Sequence, residues 1–120
     1  MKKKVLVIDD ESEIVVFMEK FLAQFDISAI KILPGEGVVD CYNRSQPDFV
    51  FLDVQMPNKD GMAILKELKK NQPASRVIMM TGVEGKEFKE KAKRYGALDY
   101  ITKPIDLNDL SKKIEEYIIK

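Results

Sequence analysis

Three aspartates, a threonine and a lysine set the chemistry open to this chain. Asp9 and Asp10 follow the apolar run Val5–Ile8, Asp53 follows Phe49–Leu52, Thr81 follows Val77–Met80, and Lys103 stands just after Leu98–Ile101. Carboxylates gathered at one place repel, so something must compensate them. Oxygen ligands without histidine or thiolate favour Mg²⁺ over zinc, and Mg²⁺ typically takes one or two carboxylates, several waters and a phosphate oxygen. The Lys103 ammonium is a point charge suited to another phosphate oxygen, and the Thr81 hydroxyl can donate to a third. Aspartate is a competent nucleophile that yields an acyl phosphate. Phosphoryl transfer asks of a protein mainly that it position groups and neutralise charge. Each residue also has a plain explanation: Asp and Thr suit turns and caps, Asp9–Asp10 favours a following helix dipole, and Lys–Pro makes an ordinary turn. Taken singly, the plain explanations hold; together, at the ends of successive strand-like runs, they make a poor coincidence.

The bulk composition narrows the alternatives. The chain has 120 residues, 45% of them apolar and 33% charged, which suits one globular domain with a real core. Lys plus Arg and Asp plus Glu both total 20, giving a formal net charge of +0 and no overall pull toward nucleic acid. The absence of histidine removes imidazole acid–base catalysis, the usual zinc sites and any phosphohistidine on this chain. The lone Cys41 cannot form an internal disulfide, which fits a reducing cytosol, and is expected to be a small half-buried helix residue. After the N-terminal lysines the apolar run is too short for a signal peptide and ends in two aspartates. No stretch approaches the ~20 apolar residues that span a bilayer, so no membrane partner and a cytoplasmic location are expected.

Short apolar runs alternate with helical patterns along the whole chain. The runs are Val5–Ile8, Ile27–Ile32, Phe49–Leu52, Val77–Met80 and Leu98–Ile101. The first, third and fourth are continuous rather than alternating, as in parallel strands covered on both faces. Between them, Ile14, Met18, Phe21, Leu22 and Phe25 recur at helical spacing, as do Met62, Leu65 and Leu68, and Leu107, Leu110, Ile114 and Tyr117. Asp60 and Asp106 are placed as N-caps, Gly96 as a helix terminator, and Asn71 and Pro73 as the end of the third helix. Helices over 36–45 and 85–95 carry thinner apolar stripes; the second, with only Phe88, Ala92 and Tyr95, is expected to be weakly held. Five βα units with right-handed crossovers predict one doubly wound α/β domain over residues 1–120, with a five-stranded parallel sheet. Of the two common strand orders, the flavodoxin-like 2-1-3-4-5 suits five strands and puts the site at the carboxyl ends of the strands.

The segments VLVIDDE, PDFVFLDVQMPNKDGM, VIMMTG and YGALDYITKP resemble the bacterial response-regulator receiver family over essentially the whole chain. The order 2-1-3-4-5 is itself known from a chemotaxis receiver, so it is not independent of that resemblance. The resemblance implies Asp53 as phosphoacceptor, Asp10 as a direct Mg²⁺ ligand, Asp9 acting through water, and the backbone carbonyl of Gln55 as a further ligand. It implies that Lys103 contacts the phosphoryl group and that its bond to Pro104 is cis. Met56, Pro57 and Gly61 match the loop after the acceptor and are read as shaping that loop. Thr81 and Tyr100 are implied as the switch: the first moves toward the phosphoryl group and the second turns inward. The plain reading of Tyr100 is a partly exposed aromatic on an edge strand.

The resemblance implies a phosphoacceptor in a two-component or phosphorelay system, not an enzyme acting on other substrates. Its phosphohistidine must come from a partner, a sensor histidine kinase or a histidine phosphotransfer protein. Direct nucleic-acid binding by this domain is not expected, the output is unspecified, and a homodimer on phosphorylation is a family habit. Gly82 departs from the small alanine more usual after the threonine, Gln55 and Val83 occupy positions that tune phosphoryl lifetime, and Pro34–Gly35–Glu36–Gly37 is an unusual lead into the second helix. The alternatives are a phosphorylation-independent interaction domain, though such domains usually lack one of the acids or the lysine, and an aspartyl phosphatase, which would carry a second aspartate where Gln55 stands. A flavin or nucleotide binder is weaker still, since no glycine-rich loop follows the first run.

Overall fold

Alternate residues of the apolar runs go to opposite sides of one parallel sheet. In the computed structural model, which describes residues 2–56, 59–82 and 86–119 (backbone only at 55, 56, 59 and 86), the strands are β1 Lys3–Ile8, β2 Ile27–Ile30, β3 Phe49–Asp53, β4 Val77–Thr81 and β5 Asp99–Thr102. The helices are α1 Ser12–Ala23, α2 Val38–Ser45, α3 Gly61–Asn71, α4 Lys86–Arg94 and α5 Leu107–Ile114, the last continued by a π-helical turn, Glu115–Ile119. The strand order is β2-β1-β3-β4-β5, all parallel, which is the flavodoxin-like arrangement expected.

Two apolar layers follow from the strand period of two. Val5, Val7, Phe49, Phe51, Ile78 and Met80 meet Met18 and Leu22 of α1 and Leu110 and Ile114 of α5. Leu6, Ile8, Val50, Leu52, Val77 and Met79 meet Cys41 of α2, Met62, Leu65 and Leu68 of α3, and Ala92 of α4. A one-residue slip of any central strand would exchange the layers, so the register (Val5 opposite Phe49, Phe51 opposite Ile78) is fixed by packing. Burying a large apolar side chain stabilises by about 1.5–3 kcal/mol. Helix α3 buries three such side chains, whereas α4 fully buries only Ala92 among its described side chains, so α4 is the more weakly held of the two.

The caps stand where the sequence placed them. Asp60 accepts from the Met62 amide at 2.9 Å, and Asp106 accepts from the amides of Asn108 and Asp109 at 2.8 and 3.1 Å. Gly96 ends α4 with φ +103°, a conformation that a side chain resists. Some boundaries differ from expectation. Strand β2 stops at Ile30, not Ile32, because the Lys31 carbonyl turns to face the Arg44 guanidinium at 3.4 Å. Strand β5 is shifted one residue, and Leu98, read as a strand residue, is exposed. Leu107 is also exposed, while Ile118 takes a place in the core. Cys41 is fully buried rather than half-buried, its thiol facing the Lys31 carbonyl at 3.9 Å. A two-residue antiparallel ladder, Gln55–Met56 with Lys59–Asp60, follows β3 where only a loop was expected. Pro57 and Val83 lie outside the described residues.

The lead into α2 is closed by a clamp. Arg44 donates to Glu36 through Nε at 2.7 Å and Nη2 at 3.0 Å, and Glu36 also accepts from the Leu33 amide at 3.1 Å. The Arg44 hydrogen bond, with help from the Leu33 amide, pulls the Glu36 pKa from 4.5 to about 2. Because the folded value lies below the unfolded one, the clamp contributes fully above pH 4.5 and is lost as pH falls toward 2. Glu36→Gln is therefore expected to flatten the fall of thermal midpoint between pH 5 and 2, as followed by circular dichroism. An unchanged slope would remove Glu36 from the acid transition.

Candidate functional site

The carboxyl ends of β1, β3 and β4 and the segment after β5 meet at one edge of the sheet. Asp53 is the last residue of β3 and is 1% exposed; Asp9 and Asp10 follow β1 directly. Asp9, Asp10 and Asp53 each offer a carboxylate oxygen, and the three oxygens lie within 4.8 Å of one another. Asp9 has both oxygens engaged by the chain itself: Oδ1 accepts from the Glu11 amide at 2.9 Å and Oδ2 from Lys103 Nζ at 2.8 Å. Asp10 is exposed, which leaves its carboxylate more open to a ligand from solvent.

Lys103 balances part of this charge. Its Nζ lies 2.8 Å from Asp9, 3.3 Å from Glu11 Oε1 and 3.4 Å from Asp53 Oδ1. Burial alone would lower the Lys103 pKa, but the hydrogen bond to Asp9 and the charges of Asp9 and Asp53 outweigh it and raise it above the ordinary value. The backbone helps to aim the side chain, since the Lys103 amide donates to the Thr81 carbonyl at 2.7 Å. The Lys103–Pro104 peptide is cis, as the resemblance implied. Thr81 closes β4 and is fully buried beside this edge.

The floor under Asp53 is set by Gly61, the first residue of α3. A Cβ there would stand 2.5 Å from Val54 Cα, 2.6 Å from the Asp53 carbonyl oxygen and 2.8 Å from the Val54 carbonyl oxygen. Only a residue without a side chain lets α3 approach the end of β3 this closely. Gln55 sits two residues beyond Asp53, paired with Asp60 in the small ladder. Tyr100 is apart from the carboxylates, half-buried on the edge strand β5. Glu11, not among the residues expected at the site, joins Asp9 and Asp53 around Lys103; its place as the third successive acid in the run Asp9–Asp10–Glu11 is its only signal in the sequence.

The donor set fits a small hard cation. It consists of carboxylate oxygens with no imidazole or thiolate, and its negative charge exceeds what Lys103 alone supplies.

The model of the response regulator receiver domain family matches residues 5–115. The chain belongs to that family. Among curated receivers and regulators it is 28% identical over 118 residues to sporulation initiation phosphotransferase F of Bacillus subtilis, covering 98% of this chain and 95% of that protein. It is 31% identical over 112 residues to the DNA-binding transcriptional regulator NtrC of Klebsiella pneumoniae, covering 93% of this chain but only 24% of that protein. Among solved receivers, it superposes on the receiver domain of the Francisella response regulator 1452 with TM-score 0.86 at 28% identity, covering 97% and 96% of the two chains. The Vibrio cholerae chemotaxis protein CheY4 has the same fold, with TM-score 0.87 at 22% identity and coverage of 98% and 100%. Receivers of this family are phosphoacceptor modules of two-component response regulators and typically bind Mg²⁺ at an acidic pocket. No helix among the described residues is long and apolar enough to cross a membrane.

Proposed function

We propose that this receiver takes a phosphoryl group on Asp53 from a partner phosphohistidine, and that the new charge changes its outer surface. The observation that carries the proposal is a buried aspartate at the end of β3 with a lysine ammonium 3.4 Å away and two further aspartates at hand. An Asp53 oxygen attacks phosphorus; the new O–P bond forms as the P–N bond to the donor imidazole breaks, and the imidazole keeps the bonding pair and takes up a proton. Lys103 is the fixed cation beside the growing charge, and the Thr81 hydroxyl donates to a phosphoryl oxygen. Asp10, Asp53 and the Gln55 carbonyl would hold Mg²⁺, with Asp9 acting through water; when bound, the ion neutralises charge on the phosphoryl oxygens.

The switch follows from the same charges. Thr81 moves toward the phosphoryl group, Tyr100 turns into the space this leaves, and the surface of α4, β5 and α5 changes with it. The weakly held α4 suits such a shift between two populations. The donor is a sensor histidine kinase or a histidine phosphotransfer protein, and the likeness to a Bacillus protein named as a phosphotransferase supports that chemistry. The likeness to a DNA-binding regulator is confined to a quarter of that protein and carries no DNA binding to this domain. Residues 1–120 form one receiver domain working in the cytoplasm. It acts on no other substrate and catalyses only its own phosphorylation and dephosphorylation.

Incubation with acetyl phosphate, with and without Mg²⁺, tests this by intact mass. One phosphoryl addition that requires Mg²⁺ is expected. No addition under either condition would leave a receiver-like interaction domain, and sustained turnover of organic phosphoesters would make the protein a phosphatase instead.

A further inference from the structure

Tyr100 is held in two unlike ways. Its backbone is rooted: its amide donates to Asp99 Oδ1 at 2.8 Å, while Asp99 Oδ2 accepts from the Tyr117 hydroxyl at 3.0 Å and faces Lys113 Nζ at 3.4 Å. These contacts tie the start of β5 to α5 and its π-helical continuation, so the strand itself is fixed. The ring is held more lightly. It is half-buried against the layer that α2, α3 and α4 cover, and Lys89 Nζ of α4 stands 4.3 Å from its centroid. An ammonium over an aromatic face is attracted by the ring quadrupole.

We propose that Lys89 is a positioning residue that holds the Tyr100 ring in its outer place and so sets how readily the receiver switches. The proposal rests on the reading of Tyr100 as the switch. An inward turn takes the ring toward Met79 and Thr81 on the same face of the sheet, both of them fully buried. A lysine ammonium is strongly hydrated and cannot follow into that apolar layer without losing its water. Turning inward therefore breaks the contact, and the contact's strength is part of what the phosphoryl group must overcome. Because α4 buries little, it can yield to either outcome without the fold giving way. Lys89 thus makes the outer state the resting one.

Fluorine NMR of 3-fluorotyrosine-labelled protein tests this before any phosphoryl group is present, with Tyr100→Phe assigning the signal. In Lys89→Gln the ratio of inner to outer ring should rise roughly twofold to fivefold, and in Lys89→Arg, which keeps the cation, it should stay at the wild-type value. With Mg²⁺ and beryllium trifluoride as the phosphoryl analogue, Lys89→Gln should bind the analogue more tightly by the same factor. That gain should vanish when Tyr100 is already alanine, since the pair is then broken. An unchanged ring population in Lys89→Gln, or an equal shift in Lys89→Arg, would overturn the role of Lys89. Failure of the wild type to bind the analogue would sink the phosphoacceptor reading, and the ring populations would still decide for or against Lys89.

Discussion

Asp53→Asn is expected to abolish phosphoryl uptake and at the same time to raise the thermal midpoint in EDTA. The first effect is chemical: an amide oxygen in this place does not form an acyl phosphate. The second follows from charge. Asp9, Glu11 and Asp53 crowd around Lys103, Asp10 lies close to Asp9 and Asp53, and Asp53 is the acceptor carboxylate held with only 1% exposure. Keeping that group ionised away from water is costly, and its like-charged neighbours add to the cost. Asparagine keeps the shape and removes the charge, while Lys103 keeps its shorter contact with Asp9 at 2.8 Å. The gain should be about 1–2 kcal/mol without metal. Added Mg²⁺ should stabilise the wild type more than the variant, since binding to the folded state alone raises stability. Thermal unfolding with and without Mg²⁺ reads both signs. A variant less stable than wild type in EDTA would show that the Asp53–Lys103 attraction outweighs the repulsion.

Gly61→Ala is expected to cost about 1–3 kcal/mol and to slow phosphorylation, although position 61 bears no chemical group. The three atoms its Cβ would meet, at 2.5–2.8 Å, all belong to the backbone of Asp53 and Val54, so no side chain can rotate out of the way. The end of β3 cannot retreat easily either, because the Val54 amide is bonded to the Met80 carbonyl at 3.0 Å. Helix α3 must move instead, weakening the bond from the Gly61 amide to the Val54 carbonyl at 3.3 Å and shifting the support of Asp53. Gly37→Ala is the matched control: it is exposed, and its Cβ would meet only the Asp40 carboxylate at 3.6 Å. Denaturant unfolding and the rate of acetyl phosphate labelling, measured on both variants, should separate them. Equal behaviour of the two would remove Gly61 from the account.

The architecture was legible in the sequence because its strongest signal is local. Continuous runs such as Phe49–Leu52 can only be covered on both faces, and that alone demands helices on each side of a parallel sheet. Asp53, Thr81 and Lys103 were legible for a related reason: chain order places each after an apolar run, and the topology brings those ends together. What the sequence hid are contacts between distant side chains. Nothing near Cys41 signals that it would be fully buried, and nothing near Lys31 signals that Arg44 would claim its carbonyl and end β2 early. Glu11 is simply the third acid in a row, and Lys89 one charge among many on the fourth helix, until the fold sets one beside Lys103 and the other over Tyr100. Gly61 was read as a loop-shaping residue, whereas its role is to admit the close approach of α3 to the acceptor strand.

The most direct measurement is the position of the acyl phosphate. Protein treated with acetyl phosphate and Mg²⁺ is reduced with borohydride, which converts a phosphorylated aspartate to homoserine, and the digested peptides are sequenced by tandem mass spectrometry. Homoserine at position 53 alone is the expected result, absent when Mg²⁺ is withheld. Homoserine at Asp9, Asp10 or any other carboxylate in place of position 53 would contradict the account.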